Sequence, residues 1–82
     1  MKSLWYFSAP WCGPCKQFGP TMDRVAQSGV TVKKIDVDYT PDVTTKFGIK
    51  SVPTVILVEN DQEKARFTGA RSFEQVMEFY KQ

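Results

Sequence analysis

The chain has 82 residues, enough for one small domain over 1–82, and 41% of them are hydrophobic against 24% charged. The net charge is +2 and the basic residues form no run, so no nucleic-acid footprint is indicated. With no His and only two Cys, a Ser-His-Asp or Cys-His catalytic site, a structural zinc site built from the Cys and His of one chain and a disulfide framework are all excluded.

Taken in chain order, Leu4-Trp5-Tyr6-Phe7 is aromatic, is bounded by Ser8-Ala9-Pro10, and predicts a buried strand. Its apolar run stops at Ser8, before a signal-peptide core could form. The expectation is therefore a soluble, cytoplasmic protein, where thiols stay mostly reduced. Phe18, Met22, Val25 and Ala26 follow helical spacing and predict a helix from about Cys12 to Gln27. Pro20 should kink that helix and Gly29 should end it. Val30 to Val37 predicts a second strand, ending at Asp38. Thr40-Pro41 reads as an N-cap followed by proline at the first helical position, and Gly48 closes that short helix.

Pro53 precedes a third strand, Thr54 to Val58, whose apolar core is far too short to span a bilayer. Asn60-Asp61 predicts a hairpin turn, and Lys64 to Thr68 an edge strand that Gly69 breaks. Ser72 with Gln75 forms a capping box, and Phe73, Val76, Met77 and Tyr80 give the last helix its apolar face. The order is β-α-β-α-β-β-α, an α/β fold with a four-stranded mixed sheet flanked by three helices.

Trp11-Cys12-Gly13-Pro14-Cys15 sits between the first strand and its helix. Two cysteines three apart at a helix start share one face, with Cα atoms roughly 5 Å apart, inside the disulfide window. Cys12 meets the unpaired N–H groups and the positive end of the helix dipole, so its thiol should ionise below the free value of about 8.5. Pro14 is tolerated in the first turn, and Gly13 leaves the backbone open to a partner. Cys15, one turn in, should be more buried. The expected roles are attack by Cys12 and resolution of the mixed disulfide by Cys15. A bare structural staple explains the pair less well, because a loop of about four residues gains only roughly 2 kcal/mol.

Trp11-Cys12-Gly13-Pro14-Cys15-Lys16 resembles the active site of a thioredoxin, and further features agree with that family's spacing. Pro20 resembles its helix-kinking proline. Lys34 with Asp36-Val37-Asp38 resembles the Lys and Asp of its central strand. Gly48 to Thr54 resembles the loop holding its cis-proline, and Gly69 a glycine near its substrate groove. The resemblance covers nearly the whole chain. It implies a thioredoxin fold, a cis Val52-Pro53 bond facing the cysteines, and a Val52 backbone offered to a substrate strand. Trp11, Gly13, Pro14, Ser51, Val52, Pro53, Gly69 and Ala70 would then form the docking surface.

The sequence also departs from that family. The chain starts at the strand leading into the active site, without the usual N-terminal strand and helix. The family's buried Asp, six residues before the first Cys, is here Tyr6, and no carboxylate lies between Met1 and Cys12. Deprotonation of Cys15 is then left to Cys12, water, the Tyr6 hydroxyl, or a Lys34 that lacks its usual carboxylate partner and biases Cys15 towards thiolate.

The short length and Phe7-Ser8-Ala9-Pro10 resemble a glutaredoxin, and Thr68-Gly69-Ala70-Arg71 is similar to the Ser-Gly-x-Arg stretch of the small glutaredoxin-like redoxins that reduce ribonucleotide reductase. However, Gly69 is followed by Ala70, Arg71 and Ser72, not by the Gly and acid that grip glutathione. The resemblance therefore implies a monomeric protein-disulfide reductase, recharged by thioredoxin reductase at the expense of NADPH, with no bound cofactor or metal. Ribonucleotide reductase is one expected recipient. The alternatives are a glutaredoxin-like electron donor, a non-catalytic interaction module, and a zinc ion or cluster held between two chains. A strong oxidant is disfavoured by Gly-Pro between the cysteines.

Overall fold

The computed structural model describes residues 1–82. The elements follow the order β1 (Lys2–Ser8), α1 (Gly13–Gln27), β2 (Val32–Asp36), α2 (Pro41–Lys46), β3 (Thr54–Glu59), β4 (Gln62–Thr68) and α3 (Phe73–Tyr80). The four strands form one sheet in the order β2-β1-β3-β4. β1 runs parallel to β2 and antiparallel to β3, and β3 pairs antiparallel with β4. The expected mixed sheet is therefore present. β2, likened above to a central strand, lies at an edge of it.

Alternation along β1 divides the core between the two faces of the sheet. Leu4 and Tyr6 face α1 and α3, where they pack with Phe18, Met22, Val25, Val76 and Phe79. Phe7 faces the other way and packs with Ile35, Ile56 and Val58, with Trp5, Val43 and Phe47 closing that side. Each fully buried Leu or Phe contributes about 1.5–3 kcal/mol by leaving water. Edge-to-face ring pairs add directionality: Tyr6 on Phe18 at 5.5 Å, Phe67 on Phe79 at 4.8 Å and Trp5 on Phe47 at 5.2 Å.

Several boundaries differ from expectation, each for a physical reason. β1 begins at Lys2 because Lys2 and Ser3 find partners in Glu59 and Val58. β2 is shorter than Val30–Val37. Val30 turns into the core, while the Thr31 carbonyl and the Val37 amide still bond to β1 at 2.8 and 3.0 Å. β4 starts at Gln62, since Asn60 (φ 55°) and Asp61 (φ 66°) make a two-residue turn whose left-handed pair suits a tight hairpin. A bulge near Val58 then leaves Lys64 without a cross-strand partner.

The helix ends divide in the same way. Ser72 accepts the Gln75 amide and Gln75 reaches back to the Ser72 amide, so the capping box forms in full. Thr40 occupies the cap position of α2 without capping it. Its hydroxyl donates to the Asp36 carbonyl at 3.0 Å. α1 runs continuously through Pro20 to Gln27. No helix is long and apolar enough to cross a membrane.

Candidate functional site

β1 delivers the chain to the start of α1, and both cysteines sit there. Cys12 is the N-cap of α1, with Gly13 and Pro14 at its first two positions and Cys15 at the third. Cys12 and Cys15 are joined as a disulfide, with Cα atoms 5.3 Å apart. The Cys15 amide donates to the Cys12 sulfur at 3.2 Å. The sulfur thus takes the place of the Ser or Asp oxygen that usually satisfies an orphan helix N–H. A negative charge on that sulfur would be favoured by the same donor and by the helix dipole.

The pair is enclosed to the same degree, at 4% and 5% exposure, so Cys15 is not the more buried of the two as expected; the pair packs against Ala9, Val37 and Val52. Gly13 and Pro14 are exposed beside it. Trp11 is 67% exposed, yet its orientation is fixed, because its indole N–H donates to Asp38 Oδ2 at 3.0 Å. A groove of about 180 Å³ lies between Trp11, Ser51 and Val52, floored by Val37 and Ile49. The Val52-Pro53 bond is cis. The Pro53 carbonyl accepts the Gly69 amide at 2.9 Å, and the Thr54 hydroxyl donates to the Ser51 carbonyl at 2.6 Å. Gly69 has φ +86°, a conformation that favours glycine. Val52 thus packs on the cysteines and shares a groove with Trp11 and Ser51, while Pro53 follows it through the cis bond and Gly69 is held to Pro53 by a hydrogen bond.

Tyr6 and Lys34 lie on the opposite side of Cys15, paired across β1 and β2. The Tyr6 hydroxyl donates to the Cys15 carbonyl at 3.3 Å, and burial pushes its ionisation above the usual value of 10.0. Such a hydroxyl stays protonated at neutral pH, so it supports the helix start and does not act as a base. Lys34 differs from expectation. It is not without a carboxylate partner, because Asp23 of α1 forms an ion pair with it. The pair is half exposed, so its energetic weight is small. Nothing local in the sequence signals this contact between a helix face and an adjacent strand.

No group of three or more His, Cys, Asp or Glu side chains converges to hold a metal ion. What the arrangement offers is a two-electron couple at a helix N-terminus, beside an apolar groove with free backbone at its rim.

A family model described as Thioredoxin matches residues 2–82. The chloroplastic thioredoxin M5 of Oryza sativa subsp. japonica is 40% identical over 67 residues, covering 78% of this chain and 39% of that protein. The bifunctional thioredoxin reductase/thioredoxin of Mycobacterium leprae is 40% identical over 68 residues, covering 79% of this chain and 15% of that protein. This chain thus spans about two fifths of the length of the rice protein and far less of the bifunctional one. Among solved structures, thioredoxin-2, described as a component of malaria parasite protein secretion machinery, superposes with a TM-score of 0.92 at 28% identity. It is covered to 82% of its length by 99% of this chain.

Proposed function

This chain belongs to the thioredoxin family, and from that premise we propose that it reduces protein disulfides through the Cys12–Cys15 dithiol. The observation that carries the reading is the Cys12 sulfur placed as the cap of its own helix, within disulfide reach of Cys15. In the reduced protein the Cys12 thiolate attacks one sulfur of a substrate disulfide. A Cys12–substrate bond forms, and the other substrate sulfur leaves with the bonding pair and takes a proton. Cys15 then attacks Cys12, closes the protein disulfide and releases the second substrate thiol. Two protein thiols are oxidised and one substrate disulfide is reduced.

The groove beside Trp11, Ser51 and Val52 supports docking of an extended substrate segment. Gly69 is bonded to the carbonyl of Pro53, the residue that follows Val52. The proposed electron source is a flavin-dependent thioredoxin reductase drawing on NADPH. The fusion of thioredoxin reductase with a related thioredoxin in Mycobacterium leprae supports this choice. The dithiol needs a reducing compartment, and we assign the protein to the cytoplasm, working as a monomer. Ribonucleotide reductase is a proposed recipient, because its catalytic cycle consumes a dithiol.

An insulin-precipitation assay tests the reading. We expect turnover with NADPH and thioredoxin reductase, and little with glutathione and its reductase. Turnover with glutathione alone would replace this donor by a glutaredoxin-like one. Failure with both donors and with dithiothreitol would overturn the reductase reading in favour of an interaction module.

A further inference from the structure

The resolving step needs a group that takes the proton of Cys15, and that thiol is buried in a chain without histidine. Beneath it lies a cleft of about 380 Å³. α1 contributes Cys15, Lys16 and Asp23 to its wall, β1 contributes Tyr6 and Ser8, and β2 contributes Lys34 and Asp36. Pro20 also lines it and has no N–H, so the Lys16 carbonyl lacks its helical partner there. A polar cleft of that size holds several waters at about 30 Å³ each.

Most titratable groups facing this cleft are already engaged. The Tyr6 hydroxyl is a donor to the Cys15 carbonyl and stays protonated. Lys16 and Lys34 are ammonium donors, and Lys34 is held by Asp23. Asp23 carries that ion pair on its Oδ1, and its backbone lies eight residues, or about 12 Å, along α1 from Cys15.

Asp36 differs. It ends β2 directly beside Ser8 of β1, at the end of the sheet where the cysteines sit, and the next residue, Val37, packs against them. Its Oδ1 accepts the Asp38 amide at 2.9 Å, while its Oδ2 has no protein donor and no ion pair. Asp38 itself, in the turn that follows, is engaged by Trp11.

We propose that Asp36 accepts the Cys15 proton through water in this cleft. The inference rests on the reductase reading. In the mixed disulfide, Cys15 S–H gives its proton by way of water to the Asp36 carboxylate. The thiolate pair then forms the Cys15–Cys12 bond, and the Cys12–substrate bond breaks with its electrons on the substrate sulfur. That sulfur is protonated from solvent, and Asp36 returns its proton to solvent. Asp36 thus acts through water and is a positioned acceptor without contact to the reacting sulfurs.

Acid-quenched mixing of the reduced protein with insulin, read by mass spectrometry, measures the lifetime of the Cys12–insulin mixed disulfide. Asp36→Asn keeps the acceptor for the Asp38 amide, so the turn should fold. Its mixed disulfide should live about tenfold longer than the wild-type one. Acetate added to the buffer, or Asp36→Glu, should shorten it again, an effect that a merely structural role would not produce. Asp23→Asn should leave the lifetime within about twofold of wild type. An unchanged lifetime in Asp36→Asn, absence of rescue by acetate and by Glu, or an equal effect of Asp23→Asn would each overturn the assignment. If the wild-type protein forms no mixed disulfide and reduces no insulin, the reductase reading itself fails, and this inference with it.

Discussion

The Cys12 sulfur accepts the amide hydrogen of Cys15 at 3.2 Å, so the group proposed as nucleophile is also the cap of its own helix. Capping and reactivity therefore share one atom. The orphan N–H that a Ser hydroxyl would satisfy elsewhere is available to stabilise a thiolate. In the reduced protein, the alkylation rate of Cys12 by iodoacetamide should rise through an inflection below the free-thiol value of about 8.5. Cys15 is enclosed to the same degree but has no such donor on its sulfur, so it should react more slowly near neutral pH. An inflection at or above 8.5 would mean that the helix start does not favour the thiolate.

Tyr6 links the same helix start to alkaline stability. Burial raises its ionisation above 10.0 in the folded protein. Between pH 10 and that raised value the native state keeps a proton that the unfolded state has lost. The unfolding free energy contributed by Tyr6 is therefore complete below pH 10 and declines as pH rises through the window. Tyr6→Phe keeps the ring against Phe18 and loses the hydrogen bond to the Cys15 carbonyl, at a cost of about 0.5–1.5 kcal/mol at neutral pH. The gap between the two proteins in urea unfolding should narrow above pH 10. A constant gap would contradict the assignment.

Trp11 and Asp38 are 27 residues apart and bonded at 3.0 Å. Asp38→Ala should free an indole that is mostly exposed, so stability should change by no more than about 0.5 kcal/mol. Insulin reduction should nevertheless slow roughly three- to tenfold, because the wall of the docking groove is no longer held in place. Equal rates would show that Trp11 needs no positioning.

Ser72→Ala removes one half of the capping box of α3, far from the cysteines in sequence. Urea unfolding should show a loss of about 1 kcal/mol. Insulin reduction in native buffer should not change. A change in rate without a change in stability would connect α3 to the chemistry in a way the present account does not contain.

These cases also show what the sequence makes legible. Trp11-Cys12-Gly13-Pro14-Cys15 and the Ser72/Gln75 pair are local signals: the partners lie within one helical turn, and the backbone itself creates the need they meet. The same holds for the Asn60-Asp61 turn. Longer-range partnerships carry no such mark. Asp23 meets Lys34, Trp11 meets Asp38, and the Arg66 guanidinium reaches the Phe47 carbonyl at 2.7 Å, only because sheet order brings them together. Thr40 shows a local signal overruled. Its hydroxyl had a helix start to cap, and the Asp36 carbonyl at the end of β2 took it instead. The apolar spacing of the last helix points to Phe73, yet Phe79 is the buried residue and Phe73 only partly so. Helical periodicity fixes spacing more firmly than it fixes which of two neighbouring apolar stripes turns inward.

The central claim is that Cys12 and Cys15 form a reducing couple, and the most direct test is the equilibrium potential of that pair. Titration against glutathione or dithiothreitol, with the fraction of disulfide read after acid quenching, should place it close to the thioredoxin value of about −270 mV. A value near the −120 mV or so of a strong oxidant would contradict the account and assign the protein to disulfide formation instead.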